Sequence, residues 1–177
     1  AISVAAGASA ATVASSVNSN TESTGVTATA VTKMEISSVH DTGNIAFTIG
    51  NGSSSAAIAT TNITDVSDIT TLRDAINDKT GTTGITAALG NNDTSKLILT
   101  HSTGEDIIIS SMSSGDMFVR ALDASGSSTN SMAATDSTQG LTIGDRTAAN
   151  SSEVFIASAA VTTTGTAILT SQASTNI

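Results

Sequence analysis

Apolar and polar positions follow two periods along this chain, and the period switches at regular intervals. Ile69, Leu72 and Ile76 stand at i, i+3 and i+7, with Arg73, Asp74 and Asp78 off that stripe, which predicts an amphipathic helix. Asp68 is a good N-cap ahead of it, Lys79 suits its C-terminus, and Gly81 suits a left-handed stop. Upstream, NIAFTIG places Ile45, Phe47 and Ile49 on one face of a strand that runs into Gly50-Asn51-Gly52, a strong hairpin signal. Downstream, Ile85, Ala87 and Leu89 alternate, GNND makes a turn, and KLILTH and DIIIS extend on either side of a turn at Gly104.

The same pattern occurs earlier. Segment ATVASSVNSNTESTGVTA (11–28) lies over TTLRDAINDKTGTTGITA (70–87) without a gap, at an offset of 59. Identities fall at Thr12/Thr71, Asn18/Asn77, Thr21/Thr80, Thr24/Thr83, Gly25/Gly84, Thr27/Thr86 and Ala28/Ala87, and Val13/Leu72, Val17/Ile76 and Val26/Ile85 are conservative. Ser9 takes the N-cap place of Asp68. Ile2 and Val4 are read as a strand before the first helix. Val26, Ala28 and Ala30, then Met34 and Ile36, sketch the strands after it. A helix of about three turns cannot bury its stripe alone, so each is expected to lie across the sheet it interrupts.

From about residue 112 the helical period vanishes. MFVRALD, GLTIG, SEVFIAS and TAILT are short strand candidates, and 123–140 reads as a long Ser/Gly-rich loop. The expected fold class is α+β: two β-α-β-β units at 1–43 and 44–116, each with one short helix on a mostly antiparallel sheet, and a β-rich section at 117–177.

Composition narrows the function. Of 177 residues 59 are Ser or Thr, yet 38% are hydrophobic and only 12% charged, which separates the chain from disordered sequences. The absence of Cys excludes disulfides and thiolate chemistry. A net charge of −9 argues against nucleic acid and anionic lipid as partners, and 3 Phe with no Trp or Tyr argue against an aromatic-lined pocket. No apolar run of about 18 residues is present to span a bilayer. The opening AISVAAGASAATVASS lacks the basic start and unbroken apolar run of a secretory signal.

Candidate chemistry is sparse. His40 and His101 each sit beside a predicted strand end and read as solvated, since a metal site needs further convergent ligands. With 28 Ser and no G-x-S-x-G elbow, an imagined Ser-His-Asp triad carries no information. Gly81–Gly84 lacks the length and following Lys of a phosphate loop. Asp65 and Asp68 suit a helix N-terminus, Asp74 and Asp78 share an exposed face and repel mildly, and GNNDTS reads as a hairpin turn. No catalytic, cofactor-binding or metal residues are assigned, no cofactor is expected, and the chain is read as non-enzymatic.

The second unit, through FTIGNG (47–52), ITTLRDAINDKTGTTGITAALG (69–90) and KLILTHSTGEDIII (96–109), resembles the flagellin hook IN motif of bacterial flagellins and some hook-associated proteins. The first unit, through ASSVNSNTESTGVTATAVTKMEIS, looks like a more diverged copy. The resemblance covers about residues 1–110. It implies the hypervariable outer region of a flagellin: a secreted, extracellular structural protein of the bacterial flagellum, used in motility. Its partners would be neighbouring subunits in the filament, met through core segments absent here, and O-linked glycans, with no nucleic acid and no membrane. No sustained heptad of the filament core is visible, so the chain is read as a middle fragment, monomeric by itself. The alternative is a hook-associated or cap protein, or an adhesin domain binding a surface ligand.

Overall fold

Ser9 begins the first helix with the expected cap: its Oγ accepts from the Thr12 amide at 3.3 Å, and α1 runs over Ala10–Asn18. The structure, a computed structural model, describes residues 2–5, 8–40, 42–127, 154–157 and 161–163. A one-turn helix, α2 (Thr21–Thr24), precedes strands β1 (Thr32–Val39), β2 (Gly43–Gly50) and β3 (Ser55–Ile63). The helical pair then recurs as α3 (Thr70–Asn77) and α4 (Thr80–Thr83). Strands β4 (Ile85–Gly90), β5 (Asp93–His101), β6 (Ile107–Ser114), β7 (Asp116–Leu122), β8 (Val154–Ala157) and β9 (Val161–Thr163) follow.

The described strands form two antiparallel sheets, β4-β5-β1-β7-β8 and β3-β2-β6-β9. Alternation gives each sheet one apolar face. Met34 and Ile36 of β1 stand opposite Leu99 and Leu97 of β5, and Ile36 meets Val119 of β7. Ile45, Phe47 and Ile49 of β2, Ile58 of β3 and Ile109 of β6 complete a single aliphatic core between the sheets. The fold is α+β and mostly β.

α3 packs against β3 and β4, the terminal strands of the two sheets, and so closes one flank of the sandwich. Ile69, Leu72 and Ile76 are fully buried there. α1 does not lie across a sheet as expected. It buries Ala10 and Ala14, and its Ala11 amide donates to the Gly104 carbonyl at 2.9 Å. The physical reason is side-chain size: two alanines allow a close approach to the β5–β6 turn, which Gly104 (φ +79) permits because a Cβ there would collide with Ala30.

Other expectations change too. Residues 2–5 form no strand, and the stretch 25–31 is not a strand; regular pairing starts at Thr32. Gly81 does not stop the second helix. It lies inside α4, and the left-handed stop comes one turn later at Gly84 (φ +70). GLTIG, TAILT and most of the 123–140 loop lie outside the described residues, whereas MFVRALD and SEVFIAS supply β7 and β8. The sections 1–43, 44–116 and 117–177 interleave: β1 lies between β5 and β7, and β9 joins β6.

The outward face of the larger sheet carries a nearly buried ion pair. Glu35 and Arg120 are cross-strand neighbours, and Arg120 Nη2 donates to Glu35 Oε1 at 2.6 Å although Glu35 is only 6% exposed.

The unequal burial of the two helices gives a stability prediction. Leu72→Ala is expected to cost about 2–5 kcal/mol, whereas Val13→Ala at the equivalent, half-exposed position should cost about 1 kcal/mol. Urea unfolding followed by circular dichroism measures both.

Candidate functional site

The most highly organised local arrangement is a hydrogen-bonded circuit that ties each helical pair to the chain after it. Asn18 Nδ2 donates to the Ala28 carbonyl at 2.9 Å, and Asn18 Oδ1 accepts from the Ala28 amide at 2.7 Å. Asn77 does the same to Ala87, at 2.9 and 2.7 Å. An Asn amide offers one acceptor and two donors on one rigid plane, so a single side chain answers both polar groups of one peptide residue. β4 is the terminal strand of its sheet, and Asn77 takes the place of the neighbour that Ala87 lacks on its free side.

The remainder of the circuit also repeats at the offset of 59. Thr21 Oγ1 donates to the Val26 carbonyl at 2.8 Å, and Thr80 Oγ1 to that of Ile85 at 2.7 Å. The Val26 and Ile85 amides donate to Thr24 Oγ1 and Thr83 Oγ1, each at 3.2 Å. Those hydroxyls in turn donate to the carbonyls of Asn20 and Lys79. The Gly25 and Gly84 amides close the one-turn helices on Thr21 and Thr80, with φ +68 and +70. Both glycines sit where an L side chain is disfavoured.

Around the second circuit the surroundings differ. His101 is not a solvated strand-end residue: it is 5% exposed and fills the space against Gly84, where a Cβ would lie 2.6 Å from Nε2. Its Nδ1 accepts from the Glu105 amide at 3.2 Å. Asn51 from the β2–β3 turn donates to the Thr83 carbonyl at 3.0 Å, joining that turn to α4. His40, by contrast, is exposed at the end of β1.

The acidic side chains serve as local acceptors. Asp65 Oδ1 accepts from the Ser67 amide and hydroxyl, and Asp68 Oδ1 from those of Thr70, which lowers both carboxyls below their ordinary value. Asp74 is held by its neighbour Arg73 at 2.6 Å, and Asp78 bounds α3 through its backbone N–H, which donates to the Asp74 carbonyl. In GNNDTS, Asn92 adopts φ 59 and the Asp93 carboxylate is occupied by the Ser95 hydroxyl and the Lys96 ammonium. The Ser95 hydroxyl, then Lys96, bring Asp93 from 3.8 down to about 2. Among the described residues no three of His, Asp and Glu gather as a metal site. A shallow hollow of about 210 Å³ lies at Gly50, Ser53, Ser55, Ile108 and Ser110, and its lining holds no ionisable side chain.

Two predictions follow from this chemistry. Asn77→Ala leaves both polar groups of Ala87 unanswered and is expected to cost about 1–3 kcal/mol, with faster hydrogen exchange at the Ala87 amide. The depressed carboxyls stabilise the fold above their unfolded values and lose that contribution as pH falls through the folded ones. The thermal midpoint should therefore drop between about pH 4 and pH 2. Asp93→Asn should make that drop shallower in calorimetry.

The model of one family, the flagellin hook IN motif, matches residues 1–39, the segment that carries the first circuit. No curated protein matches the chain. The matched segment holds the helical pair, the Asn18 clamp and β1, and residues 69–90 repeat its clamp bond for bond. Residues 1–39 are thus similar to the flagellin hook IN motif.

Proposed function

We propose that this chain is the outer region of a bacterial flagellin subunit, displayed on the filament surface toward the medium, with a structural and not a catalytic role. The observation that carries the reading is the flagellin hook IN motif at 1–39 together with a second copy of its clamp fifty-nine residues on. The surface chemistry agrees with display. Ser and Thr supply hydration, a net charge of −9 limits association between like molecules, and 3 Phe with no Trp or Tyr leave little adhesive aromatic surface. Filament assembly belongs to core segments outside this chain, and the region itself is monomeric. Exposed hydroxyls such as Ser15, Ser23 and Thr27 are available to O-linked glycans.

Immunogold microscopy tests this. Antibody raised against the 177-residue chain is expected to decorate intact flagella along their whole length. Decoration confined to the hook or the distal tip would favour the hook-associated or cap reading, and bare flagella would overturn both. Mass spectrometry of native filaments is expected to give tryptic peptides from this region heavier than the bare polypeptide by hexose-sized or larger steps; unmodified masses throughout would remove the glycans.

A further inference from the structure

One dipeptide in this chain is chemically labile. Asn51 is followed by Gly52, and no other asparagine of the sequence precedes a glycine. Asparagine in that setting loses ammonia without an enzyme, because glycine has no side chain to shield its nitrogen from the neighbouring carboxamide. The Gly52 nitrogen gives up its proton to solvent and bonds to Asn51 Cγ. The Cγ–Nδ2 bond breaks and Nδ2 departs as ammonia, leaving a five-membered succinimide. Water then opens that ring at either carbonyl, so that aspartate or isoaspartate replaces asparagine. The net change is one water consumed and one ammonia released.

The fold holds both ends of that carboxamide. Oδ1 accepts from the Ser53 and Ser54 amides at 3.1 and 2.8 Å. Nδ2 donates to the buried Thr83 carbonyl at 3.0 Å, a bond that spans 32 residues of chain and opens only when the turn and α4 part. His101 Nε2 lies 3.4 Å from the same nitrogen, and the Asn51 amide donates to the Ser54 carbonyl at 2.9 Å to close the turn. Two effects oppose each other here. Paired amides on Oδ1 would stabilise the charge that develops there during attack. Ammonia, however, cannot leave while Nδ2 is bonded to α4, and its departure strips the Thr83 carbonyl of that donor. We infer that Asn51 is a spontaneous modification site gated by the fold. Its carboxamide persists while the β2–β3 turn is docked on α4 and converts when the two separate. The product does not restore the join: a carboxylate oxygen in place of Nδ2 sets acceptor against acceptor at Thr83, and isoaspartate adds a methylene to the backbone of the turn. Conversion is therefore a permanent record of opening, wherever the protein is displayed.

The test incubates the 177-residue chain in mildly alkaline buffer, native and unfolded in urea. Mass spectrometry of the peptide containing Asn51 follows the exchange of NH2 for OH, and chromatography resolves aspartate from isoaspartate. Native conversion is expected to be at least tenfold slower than conversion in urea, on the order of the protection that docking confers. Thr80→Val removes the hydroxyl bond from α4 to the Ile85 carbonyl, and Thr21→Val removes its counterpart fifty-nine residues earlier, outside α4. The first should speed native conversion and the second leave it unchanged. Hydrogen exchange at the Gly84 amide, which donates to the Thr80 carbonyl, reports the opening of α4 without any substitution. Exchange and conversion are expected to rise together as urea is added below the unfolding transition. Equal rates in the native and unfolded chains would overturn the inference, as would equal rates in the two folded variants or Gly84 exchange that rises without conversion. Faster conversion in the native chain would also overturn it, and would show that the Ser53 and Ser54 amides activate Cγ.

Discussion

A peptide group at the free side of a terminal strand needs a donor and an acceptor, and in this protein one asparagine side chain supplies both. The Asn77 amide meets the N–H and C=O of Ala87 at 2.7 and 2.9 Å and thereby fixes α3 against β4. Much of the architecture depends on that register. With β4 held, its pairing to β5 sets Ala87 against Leu99 and Leu89 against Leu97, and β5 in turn sets Leu99 against Met34 of β1. The Thr80 and Thr83 hydroxyls and the left-handed Gly84 occupy the remaining polar groups between helix and strand. The stretch from Asn77 to Ala87 is thus closed into a small hydrogen-bonded loop at low loop-closure cost.

The core that this register organises is aliphatic. Ile, Leu, Val and Met from both sheets interdigitate, with Phe47 the buried aromatic among the described core residues. Such a core has no large rings to bridge gaps, so it depends on closing the flanks of the sandwich. α3 closes the side between β3 and β4 with three large side chains. His101 fills the end of the same flank, its ring packed where Gly84 lacks a side chain and its Nδ1 satisfied by the Glu105 amide.

Much of this was legible in the sequence, and the reason differs from element to element. The stripe Ile69, Leu72, Ile76 and the alternation in NIAFTIG are local signals, and they gave α3 and β2 directly. The offset of 59 marked Asn18 and Asn77, but an identity says nothing of the bond it makes; that the Asn answers Ala28 and Ala87 needs the folded path. β3 carries only Ile58 and Ile63 as large apolar residues, and its extension is imposed by pairing with β2. The stop at Gly84 in place of Gly81 is a contest between two glycines with the same local propensity, and the Thr80 and Thr83 hydroxyls inside α4 bond to the Ile85 peptide next to Gly84. Sheet membership was the least legible part. β1 and β2 are neighbours in sequence yet belong to different sheets, as do β6 and β7 on either side of Gly115. Hydrophobic period alone does not distinguish a hairpin from a crossing of that kind.

The same comparison of local and distant causes explains why, among the described residues, the acidic side chains do not gather at one point. Asp65, Asp68, Asp93 and Asp123 each accept from a serine or threonine two residues on, so their carboxylates are committed within their own turns. A carboxylate used in this way is directed along its own backbone and away from any common point, and converging ligands are what metal or acid–base chemistry requires. Glu35, buried on the outward face of the larger sheet, is answered directly by Arg120 on the neighbouring strand. Acidic charge in this fold therefore shapes turns and hydrates the surface. The duplicated clamp spends its polar groups on itself in the same way.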